Sequence, residues 1–358
     1  CWACTAGFAV VVGYLAYFWV HSNQPFKHVA NYRDDTCIYL STPEGQVEDI
    51  TFTSEGVGIG SIDNKVKLSS DPANTPQGGF VKISLEPFAY HPIKITGFPE
   101  NVDLHPHGVF LFQERWLYTV NYAYHRGGQR VEVFELTKSP EMTLKYHKSI
   151  LFGPDYLGRL NDLIVLDEGI VYVTTWLPFP VDVKQPGNLN LVTHMALWTY
   201  FRKTELFKCT VRGEDAVCTA QIKGQQMNGV TTDGTDVYVN DLMAREIIRL
   251  RVDASKNLIE VERISVPAPI DNIEYHRASG RIYGGAMSSL WSYLKYDNFG
   301  AAKLPGTIVE VRKDSEGWKA DEILTLDGMH SVSAGPRWGE YVIVGTWHDT
   351  KLARCKLW

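Results

Sequence analysis

The sequence predicts an all-β chain, a six-bladed β-propeller around a central calcium channel, preceded by a hydrophobic N-terminal helix. Three observations carry this expectation. After residue 30 the chain reads as short β runs broken by turns, with little sustained helical periodicity. A weak internal repeat recurs six times. Residues with oxygen donors recur at the same phase of that repeat.

The expected strands are Val109–Phe112, Leu117–Val120, Val131–Leu136, Leu163–Leu166, Ile170–Thr174, Asp236–Val239, Ile247–Val252, Thr307–Val311 and Tyr341–Gly345. Their β-branched and aromatic content and period-two alternation mark them, and Asp-Gly, Gly-Gly and Pro-Gly pairs punctuate them. Ten Trp and eighteen Tyr suit a sheet-rich chain. A helical excursion over 288–296 is the one expected interruption.

In each repeat a polar residue opens a short apolar run, and a turn leads into a second run. His107-Gly108 precedes Val-Phe-Leu-Phe, Asn161-Asp162 precedes Leu-Ile-Val-Leu, and Asn228-Gly229 precedes Val-Thr-Thr. Asp271-Asn272 precedes Ile-Glu-Tyr, Glu48-Asp49 precedes Ile-Thr-Phe, and Ser331-Val332 leads toward Tyr341-Val342-Ile343. Positions 48, 107, 161, 228, 272 and 331 are separated by 59, 54, 67, 44 and 59 residues, the range of propeller blades. The innermost strand of each blade points one end at the channel, so equivalent positions converge there.

Those positions hold Glu48, Asp49, His107, Asn161, Asp162, Asn228, Asp271 and Asn272. All but the histidine offer side-chain oxygen, the donor that calcium takes six to eight times at loose geometry. The set contains no thiolate, which argues against zinc. Singly, Asn-Gly and Asn-Asp pairs mark turns. Turn residues have no reason to recur at one phase of successive blades, whereas ligands of one axial ion do. His107 at the mouth of such a channel is a candidate general base, since imidazole titrates near neutral pH. His105 is the weaker candidate.

A net charge of −6, with no long Lys/Arg run, excludes nucleic acid as a partner class. Gly-x-Ser-x-Gly, His-Glu-x-x-His and P-loop motifs are missing, which removes the serine-hydrolase, zincin and P-loop classes. Residues 1–20 carry no charge, and as a helix they approach the ~30 Å of a bilayer core. This reads as a signal anchor or uncleaved signal sequence, against the alternative of a buried core helix. Cys1 and Cys4 read as unpaired or lipid-modified thiols. Cys209 and Cys218 flank a hairpin turn at Gly213, where a local disulfide is an open option. Cys37 and Cys355 lie near the ends of the folded part, and joining them would suit an oxidising compartment.

At these residues the chain resembles the paraoxonase family over most of residues 30–358. The resemblance rests on the ordered set Cys37, Glu48-Asp49, Pro106-His107-Gly108, Leu160-Asn161-Asp162, Asn228-Gly229, Asp271-Asn272 within Val266–Ile273, Gly345-Thr346 and Cys355. It implies a propeller holding two calcium ions. Glu48, Asn161, Asn228, Asp271 and Asn272 match the family's catalytic-calcium ligands. Asp49, Asp162 and the carbonyl of Val109 match its structural-calcium site, and His107 matches its proposed general base. Cys37 and Cys355 match the cysteines whose disulfide joins the chain ends. The resemblance also implies a lactonase or arylesterase in the secretory pathway, extracellular or lumenal, acting on a small apolar lactone or ester and anchored to membrane by its N-terminal segment. The expected division is residues 1–20 as that segment, 21–36 as linker and start of the propeller, and 37–358 as the propeller.

The family's second histidine of the dyad falls at Tyr122, unless His125 substitutes, and both enter as candidates. Trp176 stands where the family has an acidic pocket residue, and Ala286-Met287 where it has a cysteine and a histidine. With that changed periphery, two other chemistries stand beside hydrolysis: calcium-dependent cyclisation or isomerisation, and binding without turnover.

Overall fold

A computed structural model of the chain describes residues 33–153, 159–177, 204–289 and 305–357, together with Gly13, Val20 and Lys27. Apart from Gly13 and Val20, the expected N-terminal helix lies outside the described residues. Among the described residues no helix is long and apolar enough to cross a membrane. Ser288 and Ser289 are not helical, and the rest of the expected helix over 288–296 also lies outside.

The turn-punctuated β runs form short antiparallel strands. Cys37–Ser41 (β1) opens the described fold. A first unit follows as Gln46–Phe52 (β2), Gly58–Asp63 (β3), Gly79–Ser84 (β4) and Ala89–Pro92 (β5), with a short helix Lys65–Ser70 (α1) inserted after β3. After Lys94–Thr96 (β6), a second contains Pro106–Phe112 (β7), Trp116–Ala123 (β8), Gly128–Thr137 (β9) and Thr143–Phe152 (β10). The third is Arg159–Asp167 (β11), Ile170–Leu177 (β12), Thr204–Arg212 (β13) and Asp215–Gly224 (β14). The fourth is Met227–Thr232 (β15), Asp236–Asp241 (β16), Glu246–Val252 (β17) and Leu258–Ser265 (β18). The fifth is Ile270–His276 (β19), Arg281–Met287 (β20), Gly306–Asp314 (β21) and Gly317–Leu326 (β22).

Closure comes from the last unit. Val332–Ala334 (β23), Arg337–Trp338 (β24), Tyr341–Thr346 (β25) and Lys351–Lys356 (β26) take β1 as their outer strand, with Cys37 opposite Cys355 in the register. A disulfide joins these two residues, and a second joins Cys209 to Cys218 across β13 and β14. The six first strands pack in a ring: β2 on β7, β7 on β11, β11 on β15, β15 on β19, β19 on β23, and β23 back on β2. Packed between neighbouring sheets, the inner strands are buried on both faces; β15 is buried throughout, whereas the outer strand β14 is mostly exposed or half-buried. Apolar clusters fill the seams, such as Ile59, Phe80, Leu117 and Phe134 between the first two units.

Every inner strand carries a register shift against its partner, in the first five at the repeat position and in the last at Ser333, two residues past Ser331. The shifts fall between Val47 and Ile50, Pro106 and Val109, Leu160 and Leu163, Met227 and Val230, Ile270 and Ile273, and Val332 and Ala334. At each, the residues between drop out of the ladder and turn toward the ring's axis or its seams, as bulges do. Glycine follows two of the polar positions because backbones meet there. A Cβ on Gly108 would lie 2.7 Å from the Asn161 carbonyl oxygen, and one on Gly229 would lie 2.6 Å from Asn272 Cα.

Candidate metal centre and pocket

The bulges bring Glu48, His107, Asn161, Asn228, Asp271 and Asn272 together on the floor of one pocket or directly behind it. The pocket has a volume of about 190 Å³, and the first five of these line it. All six side chains are buried. The Asn272 amide nitrogen donates to Glu48 Oε1 at 2.8 Å. The Asn161 amide nitrogen lies 3.2 Å from His107 Nε2, and His107 Nδ1 lies 3.2 Å from Glu48 Oε2.

Asn161 and Asn272 thus spend their nitrogen on a neighbour. The oxygens Asn161 Oδ1, Asn228 Oδ1, Asn272 Oδ1 and Glu48 Oε2 are buried without a hydrogen-bond partner. Buried polar atoms are normally paired. Three unpaired amide oxygens, with the Asp271 carboxylate and the Glu48 oxygen that contacts His107 Nδ1 beside them, form a donor set that fits calcium. Among the described residues no three His, Cys, Asp or Glu side chains gather as a metal cluster, and any shell here would draw on amide oxygens.

Burial of the carboxylates gives the same indication. Burial, then the charges of Asp271 and Asp49, hold the Glu48 carboxyl well above the usual range. Burial pushes Asp271 up to about 7, partly offset by the Asn228 amide. A divalent cation would relieve both.

Asp49 and Asp162, one residue further along their strands, face the seams and do not line the pocket. Asp49 accepts from the backbone N–H of Ile50 and, across the seam, of Val109, both at 2.8 Å. Asp162 accepts from Leu163 and, across the next seam but one, from Val230, both at 2.7 Å. Val109 therefore meets Asp49 through its N–H. Burial raises Asp49 to about 6 and Asp162 well above its usual range, the latter also by the charge of Asp49. Two buried carboxylates that repel each other would suit a second cation, although their hydrogen bonds already hold the seams.

The His107 imidazole is pushed well below its ordinary pKa by burial, then by the charges of Lys65 and Arg159. Tyr122 packs on it, tilted by 31° with 4.6 Å between ring centroids, and Tyr124 stacks on Tyr122 at 5.0 Å. The Tyr122 hydroxyl donates to the Leu160 carbonyl, so it supports the imidazole by its face and does not reach it as a proton relay. His125 sits exposed in the turn after β8, outside the pocket lining, which sets it aside as a substitute for the second histidine. His105 is buried away from the pocket, with Nδ1 3.1 Å from Asp63.

Trp176 and Met287, two positions where the sequence departs from the paraoxonase pattern, both line the pocket. Lys65, Tyr124, Arg159 and Trp347 also line it, and sequence reading passed them over. The signal for Lys65 was local: Asn64 accepts from Lys67 N–H as the cap of α1, so Asn-Lys-Val-Lys marks a helix start beside the channel.

Among curated proteins the chain is similar to human serum paraoxonase/arylesterase 2, 23% identical over 73% of this chain and 72% of that one. It is likewise similar to human serum paraoxonase/lactonase 3, at 24% over 76% and 74%. Among solved structures it is similar to a gluconolactonase from Xanthomonas campestris, with a TM-score of 0.51 at 12% identity, covering 91% of each chain. That likeness supports a six-bladed propeller as the arrangement of the sheets described above. The profile of the arylesterase family matches residues 81–302, more than half of the sequence, and the chain belongs to that family.

Proposed function

We propose that the protein is a calcium-dependent hydrolase of lactones or aryl esters, working in the pocket floored by Glu48, His107, Asn161, Asn228 and Asp271. The observation that carries this reading is the group of unpaired buried oxygens beside the buried imidazole of His107. Family membership supports the reaction class, and the relatives' own names include arylesterase and lactonase.

Glu48, Asn161, Asn228, Asp271 and Asn272 would hold the ion. When bound, calcium supplies a fixed positive charge for the carbonyl oxygen of the substrate. His107 takes a proton from water; its Nε2 lies 3.2 Å from the Asn161 amide nitrogen, which has to turn aside for that ring nitrogen to accept. Glu48, 3.2 Å from Nδ1, favours the imidazolium that results. Tyr122 holds the ring in place by packing against it. Asp49, Asp162 and Val109 would form a second, structural calcium site at the seams. Trp176, Met287 and Trp347 give the pocket an apolar wall, which excludes water around the ester. The two disulfides support folding in an oxidising compartment, and hence a secretory destination.

The test is turnover of γ- and δ-lactones and phenyl acetate, with calcium and after chelation, in wild type and His107→Gln. Calcium-dependent release of the hydroxy acid or phenol, lowered about 100-fold or more in the variant, is expected. Calcium binding without any product gaining water would overturn the hydrolase reading and favour isomerisation or binding alone.

A further inference from the structure

Arg159 opens β11, two residues before Asn161, and lines the pocket. Its guanidinium carbon lies 5.5 Å from the Tyr122 ring centroid, 5.1 Å from that of Tyr124 and 5.4 Å from that of Trp176. Three aromatic faces therefore fix its position without neutralising it. Its Nε is buried with no hydrogen-bond partner, and no carboxylate pairs with it among the described residues. Lys65, the other cation of the pocket, is already committed: Nζ lies 3.5 Å from Asp63 and donates to the Pro106 carbonyl.

Among the described residues of the pocket, Asp63 stands against Lys65, and a divalent ion would offset Glu48 and Asp271. The Arg159 guanidinium, a planar donor fork, has no carboxylate against it there; the rings of Tyr122, Tyr124 and Trp176 surround it, in a lining that also holds Ser69 and Gln226.

We infer that Arg159 is an anion anchor, and that the substrate is a lactone or ester bearing a free carboxylate away from the scissile carbonyl. This deepens the hydrolase reading and rests on it. The carboxylate would sit in two parallel hydrogen bonds on the guanidinium, which places the ester carbonyl toward the oxygen cluster. The apolar substrate suggested by the family resemblance would leave this half-buried cation, with its buried Nε, without an anion, which is unfavourable.

The experiment compares one γ-lactone carrying a pendant carboxylate with the same lactone carrying a primary amide there, in the calcium-loaded full chain. Wild type is expected to prefer the carboxylate about tenfold or more in kcat/KM, chiefly through KM. Arg159→Gln should reduce that ratio about tenfold, and Arg159→Lys should keep part of it, because lysine retains the charge without the fork. An equal ratio in wild type and Arg159→Gln, or no preference in wild type, overturns the anchor. If neither lactone is hydrolysed, the hydrolase reading fails by itself. Calorimetric binding of the two compounds then decides the anchor separately, with tighter binding of the carboxylate lost in Arg159→Gln upholding it. Should Arg159→Gln not fold, the wild-type preference and the inhibition constants of the two compounds read the same charge.

Discussion

Glu48 and Asp49 are consecutive, both carboxylates and both buried, yet their surroundings are opposite. One Glu48 oxygen takes the Asn272 amide, and the other has no hydrogen-bond partner. Asp49 accepts two backbone N–H groups, one from its own strand and one from the next blade. Asn161 and Asp162 repeat the contrast two blades on. A bulge makes this possible: it frees two adjacent residues from the ladder, so one serves the pocket and the other the seam. The pocket residues are arranged for something that must arrive. The seam residues have their partners built in.

The sharpest way to separate the two sets is to neutralise one member of each. In Asp271→Asn the proposed ion loses a carboxylate, and activity should fall about a thousandfold or more. The metal-free protein should melt no lower than wild type near neutral pH, because burial already disfavours the charge that is removed. Thermal melts with chelator and with calcium check this: wild type should gain from calcium and the variant should not. A metal-free melt well below wild type would make Asp271 a structural residue.

Asp162→Ala should do the reverse. It leaves the N–H groups of Leu163 and Val230 buried without their acceptor, which is worth about 2–4 kcal/mol in denaturant unfolding with calcium absent. If that loss appears only when calcium is present, Asp162 acts as a ligand and its seam bonds are secondary.

Half of this contrast was readable from the sequence. Positions 48, 107, 161, 228, 272 and 331 marked the six repeats, because a shared chemical demand at one phase leaves similar residue types there. The family resemblance singled out Trp176 and Met287, and both line the pocket. Asp49 and Asp162 could be matched to a metal site but not to their cross-blade bonds, since the donors Val109 and Val230 lie 60 and 68 residues away. Arg159 carries no motif; its meaning comes from Tyr122, Tyr124 and Trp176, which only the closed ring gathers around it. Spacing made Tyr122 a candidate but could not show that its hydroxyl donates to a backbone carbonyl on the adjacent blade.

The smallest expected effect concerns pH, and it tests both sets at once. Burial holds Asp49 up to about 6, Asp271 to about 7 and Glu274, on the same strand as Asp271, to about 8. In the unfolded chain these groups titrate near 4. Between pH 4 and 8 the metal-free fold therefore binds protons that the unfolded chain does not, and its stability falls as pH rises through that window. Calcium should act with the opposite slope, because its carboxylate ligands must give up their protons to bind it. Melting curves at pH 5, 6.5 and 8, with chelator and with calcium, should show a gap that is small at pH 5 and widens by several degrees at pH 8. A metal-free melt that is flat or rises with pH would mean that these carboxylates are already compensated by the protein itself, leaving the pocket no electrostatic reason to take up a cation.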